Sequence, residues 1–159
     1  MYNRLIDILQ NQLALYEELL EMSRQKKVFL IKNNIEAIRH ITARESSLIS
    51  KLQNFERERE KAVSELAGRL RVPPRGLTLS EIVDRMNNSP ARNQLADLRM
   101  RLRAGMDELK LLNEQNKALI NQSLEYIDFT MNLLRSSVSG PIYAGAEEIH
   151  GQVFFDARG

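Results

Sequence analysis

The sequence predicts an all-α fold, an elongated antiparallel helical bundle of three main helices plus a short connecting helix, and three observations predict it. Glycine and proline are scarce (7 and 4 in 159 residues), tryptophan is absent and 28% of residues are charged, which suits long surface-exposed helices better than sheets. Apolar residues recur three, four and seven apart over three long stretches. The residues that break helices gather between those stretches instead of inside them.

The first stretch runs from Met1 to about Lys32. Ile6, Leu9, Leu13, Tyr16 and Leu20 form one apolar row, and Leu5, Ile8, Leu15, Leu19, Met22 and Phe29 form a parallel one, so the stripe is wider than a two-stranded seam requires. Asn33 and Asn34 interrupt it, and Asn33 with Glu36 is expected to form a capping box that opens the second helix. That helix carries Ile35, Ile38, Ile41, Leu48, Leu52 and Phe55 on one side and continues through Val63, Leu66 and Leu70. Its run from Phe55 to Glu60 reads as a solvated charged face with Glu56 and Arg59 one turn apart, a pair worth about 0.2 to 0.5 kcal/mol.

Pro73, Pro74 and Gly76 must end the second helix, since they remove backbone donors and permit a reversal. Thr78 with Glu81 forms a T-x-x-E capping box that leads into a short helix through Ile82, Val83 and Met86. Asn87, Asn88, Ser89 and Pro90 make the next break, with Ser89 as cap and Pro90 in the first helical turn. From there Leu95, Leu98, Leu102, Leu109 and Leu112 give a packed seam, continued by Asn116, Ile120, Leu124, Ile127, Met131 and Leu134. No proline interrupts it, and a helix of some 45 residues would be about 70 Å long. So long a helix needs partners along its length, and the first two helices are available. The expected organisation is a helical bundle over residues 1–135 and a flexible C-terminal tail over 136–159. The apolar residues of that tail, Val138, Ile142 and Tyr143 among them, suggest that it becomes ordered against something.

Composition narrows the function. The net charge of +2 is a small surplus, which disfavours nucleic acid as the main partner. The absence of cysteine excludes disulfides and thiolate metal sites and leans towards a reducing, cytoplasmic setting. The polar residues scattered through the first helix exclude a signal peptide or a membrane-inserted span there. There is no phosphate loop, no HExxH and no cofactor motif, and the two histidines, His40 and His150, are far apart, so no enzymatic activity is expected. Phosphotransfer through a solvent-facing His40 is the one chemistry a helical bundle would suit, although the H-x-x-K-G pattern of such domains is missing. Arg99, Arg101 and Arg103, with Arg69, Arg71 and Arg75, read as a solvated basic face, Arg99 and Arg103 lying away from the leucines.

Asn113 and Asn116 stand where the third seam would carry leucines. Either they fix register inside the bundle or they form a polar station in a helix-binding groove. Leu119, Ile120, Leu124, Ile127, Phe129, Met131 and Leu134, with Tyr126 and Leu133, spread apolar surface over more than one face of the helix. A helix apolar nearly all round must be buried on several sides, so this end is the expected binding surface.

The segment LNEQNKALINQSLEYIDFTMNLL, ending at Leu134, resembles the L-N-x-x-N-x-x-L-I-x-x-S-L-x-x-I pattern of the FlgN family of flagellar type III export chaperones. The stretch KNNIEAIRHITARESSLISKLQNFERER is similar to that family's second helix, and LTLSEIV to its short connecting helix. The resemblance covers nearly the whole chain and rests mainly on Asn113, Asn116 and Ser123 with their apolar neighbours. It implies a cytoplasmic chaperone that binds the C-terminal helices of the hook-filament junction proteins (FlgK and FlgL) and presents them to the flagellar export apparatus. It also implies that the chaperone's C-terminal region carries much of the binding, with Val138, Ile142 and Tyr143 as clamps. The competing reading is a structural coiled-coil adaptor or self-assembling bundle, in which the same surface binds a second copy of the chain.

Overall fold

A computed structural model describes residues 1–137 and contains four helices: α1 (Asn3–Ile31), α2 (Ile35–Leu70), α3 (Leu79–Arg85) and α4 (Pro90–Ser137). Among the described residues there is no strand, and the all-α bundle expected from the periodicity is what forms. The chain falls into two compact units, Met1–Leu119 and Ile120 onwards; the first holds α1 to α3 and the beginning of α4.

Asparagine makes the first turn. Asn33 adopts φ 52, a left-handed conformation that asparagine tolerates better than most residues. The Asn34 N–H then donates to the Phe29 carbonyl at 3.0 Å and the Asn33 N–H to that of Leu30 at 3.2 Å, which satisfies the open carbonyls of α1. The capping box expected at Asn33 and Glu36 is therefore displaced. Asn33 is spent on closing α1, and the cap of α2 is Asn34, whose Oδ1 accepts from the Ala37 N–H at 3.2 Å.

Arg71 closes α2 in the same way at φ 55, with the Val72 N–H donating to the Ala67 carbonyl at 3.1 Å. The expected capping box at the next helix is present, with the Glu81 N–H donating to Thr78 Oγ1 at 3.2 Å and the Thr78 N–H to Glu81 Oε2 at 2.9 Å. Ser89 caps α4 through the Arg92 N–H at 3.3 Å, and the Arg92 guanidinium donates back to the Val83 carbonyl at 3.1 Å. The start of α4 is thereby tied to the open end of α3.

Cross-helix pairs fix the directions. Arg4 meets Glu65, Gln12 meets Glu56 and Lys26 meets Glu45, so α1 and α2 are antiparallel. Arg101 meets Glu17, Arg24 meets Glu108 and Lys27 meets Gln115, so within the first unit α4 runs parallel to α1. The wide stripe of α1 follows from this arrangement, because α1 touches α2 on one side and α4 on the other.

The larger core cluster gathers Leu5, Ile6, Leu9 and Leu13 of α1, Val63, Leu66 and Ala67 of α2, Ile82 and Val83 of α3, and Leu95, Leu98 and Leu102 of α4. A smaller cluster of Leu19, Met22, Ile41 and Leu48 takes Leu109 as a partly buried neighbour. Between them Gly105 is buried, and a Cβ there would stand 3.8 Å from that of Tyr16. After Leu102 the buried positions of α4 are Gly105 and Asn116 alone among the described residues.

Candidate partner-binding surface

From Ile120 to Ser137, the described part of the second unit, α4 carries two apolar stripes. Ile120, Leu124, Ile127, Met131 and Leu134 step by four, three, four and three, and Tyr126, Phe129 and Leu133 by three and four, so each set shares a helix face. Asn121, Glu125, Asp128, Asn132 and Arg135 form a polar strip between the stripes on one side, and Ser123 and Thr130 separate them on the other. The apolar arc is largely in contact with solvent: Ile120 is 39% exposed, Ile127 46%, Leu134 57%, Phe129 61% and Tyr126 71%. Leu124, Met131 and Ser123 are half-buried, as is Leu119 at the end of the first unit. Exposed apolar side chains of this size, gathered on one helical segment, make it a candidate binding surface. The expected clamps Val138, Ile142 and Tyr143, and the rest of the tail, lie outside the described residues.

Asn113 and Asn116 lie in the first unit and face α1. Asn116 is 4% exposed, and its Nδ2 donates to the carbonyl oxygen of Ser23 at 3.0 Å. The Ser23 hydroxyl donates to Asn113 Oδ1 at 3.5 Å, a long contact. Asn116 Oδ1 is buried with no hydrogen-bond partner among the described residues, so the amide is half satisfied. The two asparagines engage one residue of α1 from successive turns of α4 and thereby set the register of the two helices. A polar residue inside an apolar row was the usable sequence signal, and Ser23, seven after Tyr16 on the same row, carried it on α1 without being singled out.

Sequence reasoning also passed over a polar constellation nearer the start of α1. Arg59 grips Glu56 with both arms, Nε to Oε2 at 2.9 Å and Nη2 to Oε1 at 2.6 Å, and the nearly buried Gln12 donates its Nε2 to Glu56 Oε2 at 2.9 Å. These hydrogen bonds, that from Arg59 foremost, hold the Glu56 carboxyl below its ordinary value against the opposing effect of burial. Burial pushes the neighbouring Tyr16 hydroxyl up, with help from the Glu56 charge. Glu56 and Arg59 are half-buried, which corrects the reading of this run as a plain solvated face. Gln12, displacing a leucine three residues after Leu9, was the available sign.

The basic residues divide. Arg101 pairs with Glu17 at 3.1 Å and with Asp97 at 3.8 Å, as a solvated face would. Arg99 and Arg103, expected to lie away from the leucines, border the same recess as Leu102. His40 is exposed, with its Nε2 3.7 Å from Glu36 Oε1. Among the described residues no acidic or histidine cluster could hold a metal ion, and no helix is long and apolar enough to cross a membrane.

The comparisons with known proteins agree with the helical pattern. Neither the curated proteins nor the solved structures contain a match. The family model described as FlgN protein matches residues 1–147, nearly the whole chain, and this chain therefore belongs to the FlgN family, whose general role is that of a flagellar export chaperone.

Proposed function

We propose that this chaperone binds the C-terminal amphipathic helices of the hook-filament junction proteins (FlgK and FlgL) in the cytoplasm, prevents their premature assembly, and delivers them to the flagellar type III export apparatus. The observation that carries this reading is the exposed apolar arc between Ile120 and Leu134. A terminal helix of a filament subunit buries its apolar stripe only after assembly, so before export the stripe needs a cover that can be removed without covalent chemistry. Apolar stripes on two sides of this helix can pack against such a client helix and supply the cover. Leu119, Ile120, Ser123, Leu124, Ile127, Phe129, Met131 and Leu134 form the proposed contact, with Val138, Ile142 and Tyr143 as clamps that follow it. Asn113 and Asn116 adjoin it, and their part is to fix the helix that displays it.

The test is the double substitution Ile127→Glu with Met131→Glu, titrated by calorimetry with a peptide of the junction protein's C-terminal helix. Removing two apolar anchors weakens binding by at least about a hundredfold, while the far-ultraviolet circular dichroism of the variant stays helical. A variant that keeps its helicity and binds within a few-fold of the parent sinks the assignment. Sedimentation of the parent distinguishes the competing self-assembly: a stable dimer that the double variant abolishes would assign the arc to a second copy.

A further inference from the structure

The first unit contains a recess that the client reading does not use. Its floor is Leu9, Gln12 and Tyr16 of α1; one wall is Glu56 and Arg59 of α2; the other is Arg99, Leu102, Arg103 and Met106 of α4; and the Gly76 to Thr78 loop with the first two residues of α3 lines it too. The recess encloses about 820 Å³. It exists because α1 and α2 pack closely by their backbones, whereas α4 does not come as close to either along its length. A second, shallower hollow shares Tyr16 and Met106 with it and continues along α4 past Leu109 and Lys110 to Lys117. From Arg99 to Lys117 the α4 wall is about 27 Å long at 1.5 Å per residue, a length that suits a helix of about five turns and far exceeds a small molecule.

The charges on the two walls differ. On α2 the Glu56 carboxylate is already claimed by Arg59 and Gln12, so that wall is polar and close to neutral. On α4 neither Arg99 nor Arg103 has a hydrogen-bond or ion-pair partner among the described residues, and both are exposed one turn apart. Lys110 and Lys117 extend the basic edge, with Asp107 and Glu114 as the acids among them. Met106, 51% exposed beside the arginines and above the buried Leu102, supplies apolar surface that can adapt to a ligand.

We infer that this recess is a second docking site, for an amphipathic helix of a partner protein that carries acidic residues one turn apart along one flank of its apolar stripe. The stripe settles on Tyr16 and Met106, above the buried Leu9 and Leu102, and the acidic flank meets Arg99 and Arg103. The other flank, against the Glu56 and Arg59 pair, is polar and uncharged. Selectivity follows from this asymmetry, since a helix with lysines on the α4 flank would place like charges together.

The probe is a synthetic helical peptide of about five turns with leucines on one stripe and two glutamates one turn apart on one flank, labelled and titrated with the full-length chain by fluorescence anisotropy. A matched peptide with lysines in place of the glutamates is the control. The glutamate peptide is expected to bind more tightly than the lysine peptide, to weaken as salt is raised, and to lose more than about tenfold in affinity when Arg99→Glu and Arg103→Glu are combined. Both positions are exposed on α4, so the variant keeps its fold, and Arg99→Lys with Arg103→Lys retains most of the binding. The Ile127→Glu, Met131→Glu protein binds this probe as the parent does, which keeps the two sites distinguishable. Equal affinity for both peptides, or a double arginine variant that binds unchanged, overturns the inference. So does a variant whose only change is in the chain's own association state, because the recess would then take a second copy.

Discussion

The side-chain amide of Asn116 donates to the backbone carbonyl of Ser23 across the α1 and α4 interface at 3.0 Å, with both residues buried. Since Asn116 Oδ1 has no partner among the described residues, the contact specifies position more than it stabilises. Asn116→Leu is therefore expected to leave the unfolding free energy within about 1 kcal/mol of the parent or above it. Asn116→Asp, which places a buried carboxylate against the Ser23 carbonyl oxygen in place of a donor, is expected to cost about 3 kcal/mol. Urea unfolding followed by circular dichroism checks both, and a leucine variant far less stable than the parent would show that the amide contributes more than register.

Gly105 offers a substitution in the opposite direction. A Cβ there would lie 3.8 Å from Tyr16 Cβ and 3.9 Å from Leu20 Cδ1, which is ordinary contact, and the position is helical. Gly105→Ala should stabilise by roughly 0.5 to 1 kcal/mol through helix propensity, whereas Gly105→Phe should destabilise because α1 leaves no room for a ring. Thermal melting of the two variants gives opposite shifts if α4 approaches α1 at this point as described.

Removal of the Thr78 hydroxyl breaks one arm of the capping box on α3. Thr78→Ala is expected to cost about 1 kcal/mol, and Glu81→Gln less, since glutamine can still accept from the Thr78 N–H. Chemical denaturation separates the two. A threonine variant as stable as the parent would mean that packing of Ile82 and Val83 alone holds the helix.

Stability should fall in acid partly through Glu56. Its carboxyl titrates below the ordinary value of 4.5 in the folded chain, so its contribution is fully present above 4.5 and is lost as pH drops through the lowered folded value. Glu56→Gln is less stable than the parent at neutral pH, and the gap narrows below pH 4.5. A gap independent of pH would mean that the hydrogen bonds from Arg59 and Gln12 do not depend on the charge.

Most helix boundaries were legible because their chemistry is local. Thr78 with Glu81, and Ser89 with Pro90, need only their neighbours in sequence to act. The asparagine turn was misplaced by one residue because Asn33 and Asn34 can each take either the left-handed or the capping role, and only the geometry of the chain entering α2 decides between them. Glu56 and Arg59 were misread for the opposite reason, since Gln12, which draws Glu56 inward, is distant in sequence. The two apolar stripes after Ile120 were visible as spacing. The recess beside Leu102 was not, because it is a gap between helices, and a gap leaves no residue pattern of its own.

The asparagine turn also has a consequence in time. The α1 and α2 helices join through one of the shortest links a helical hairpin permits, so bringing them together costs little loop-closure entropy, whereas α4 reaches α1 only after all of α2 and α3 has been made. Contacts between near neighbours in sequence form sooner than distant ones. On the ribosome the hairpin is complete before Pro90 emerges, and the side of α1 that will receive Leu95, Leu98 and Leu102 stays uncovered until translation has delivered the third long helix.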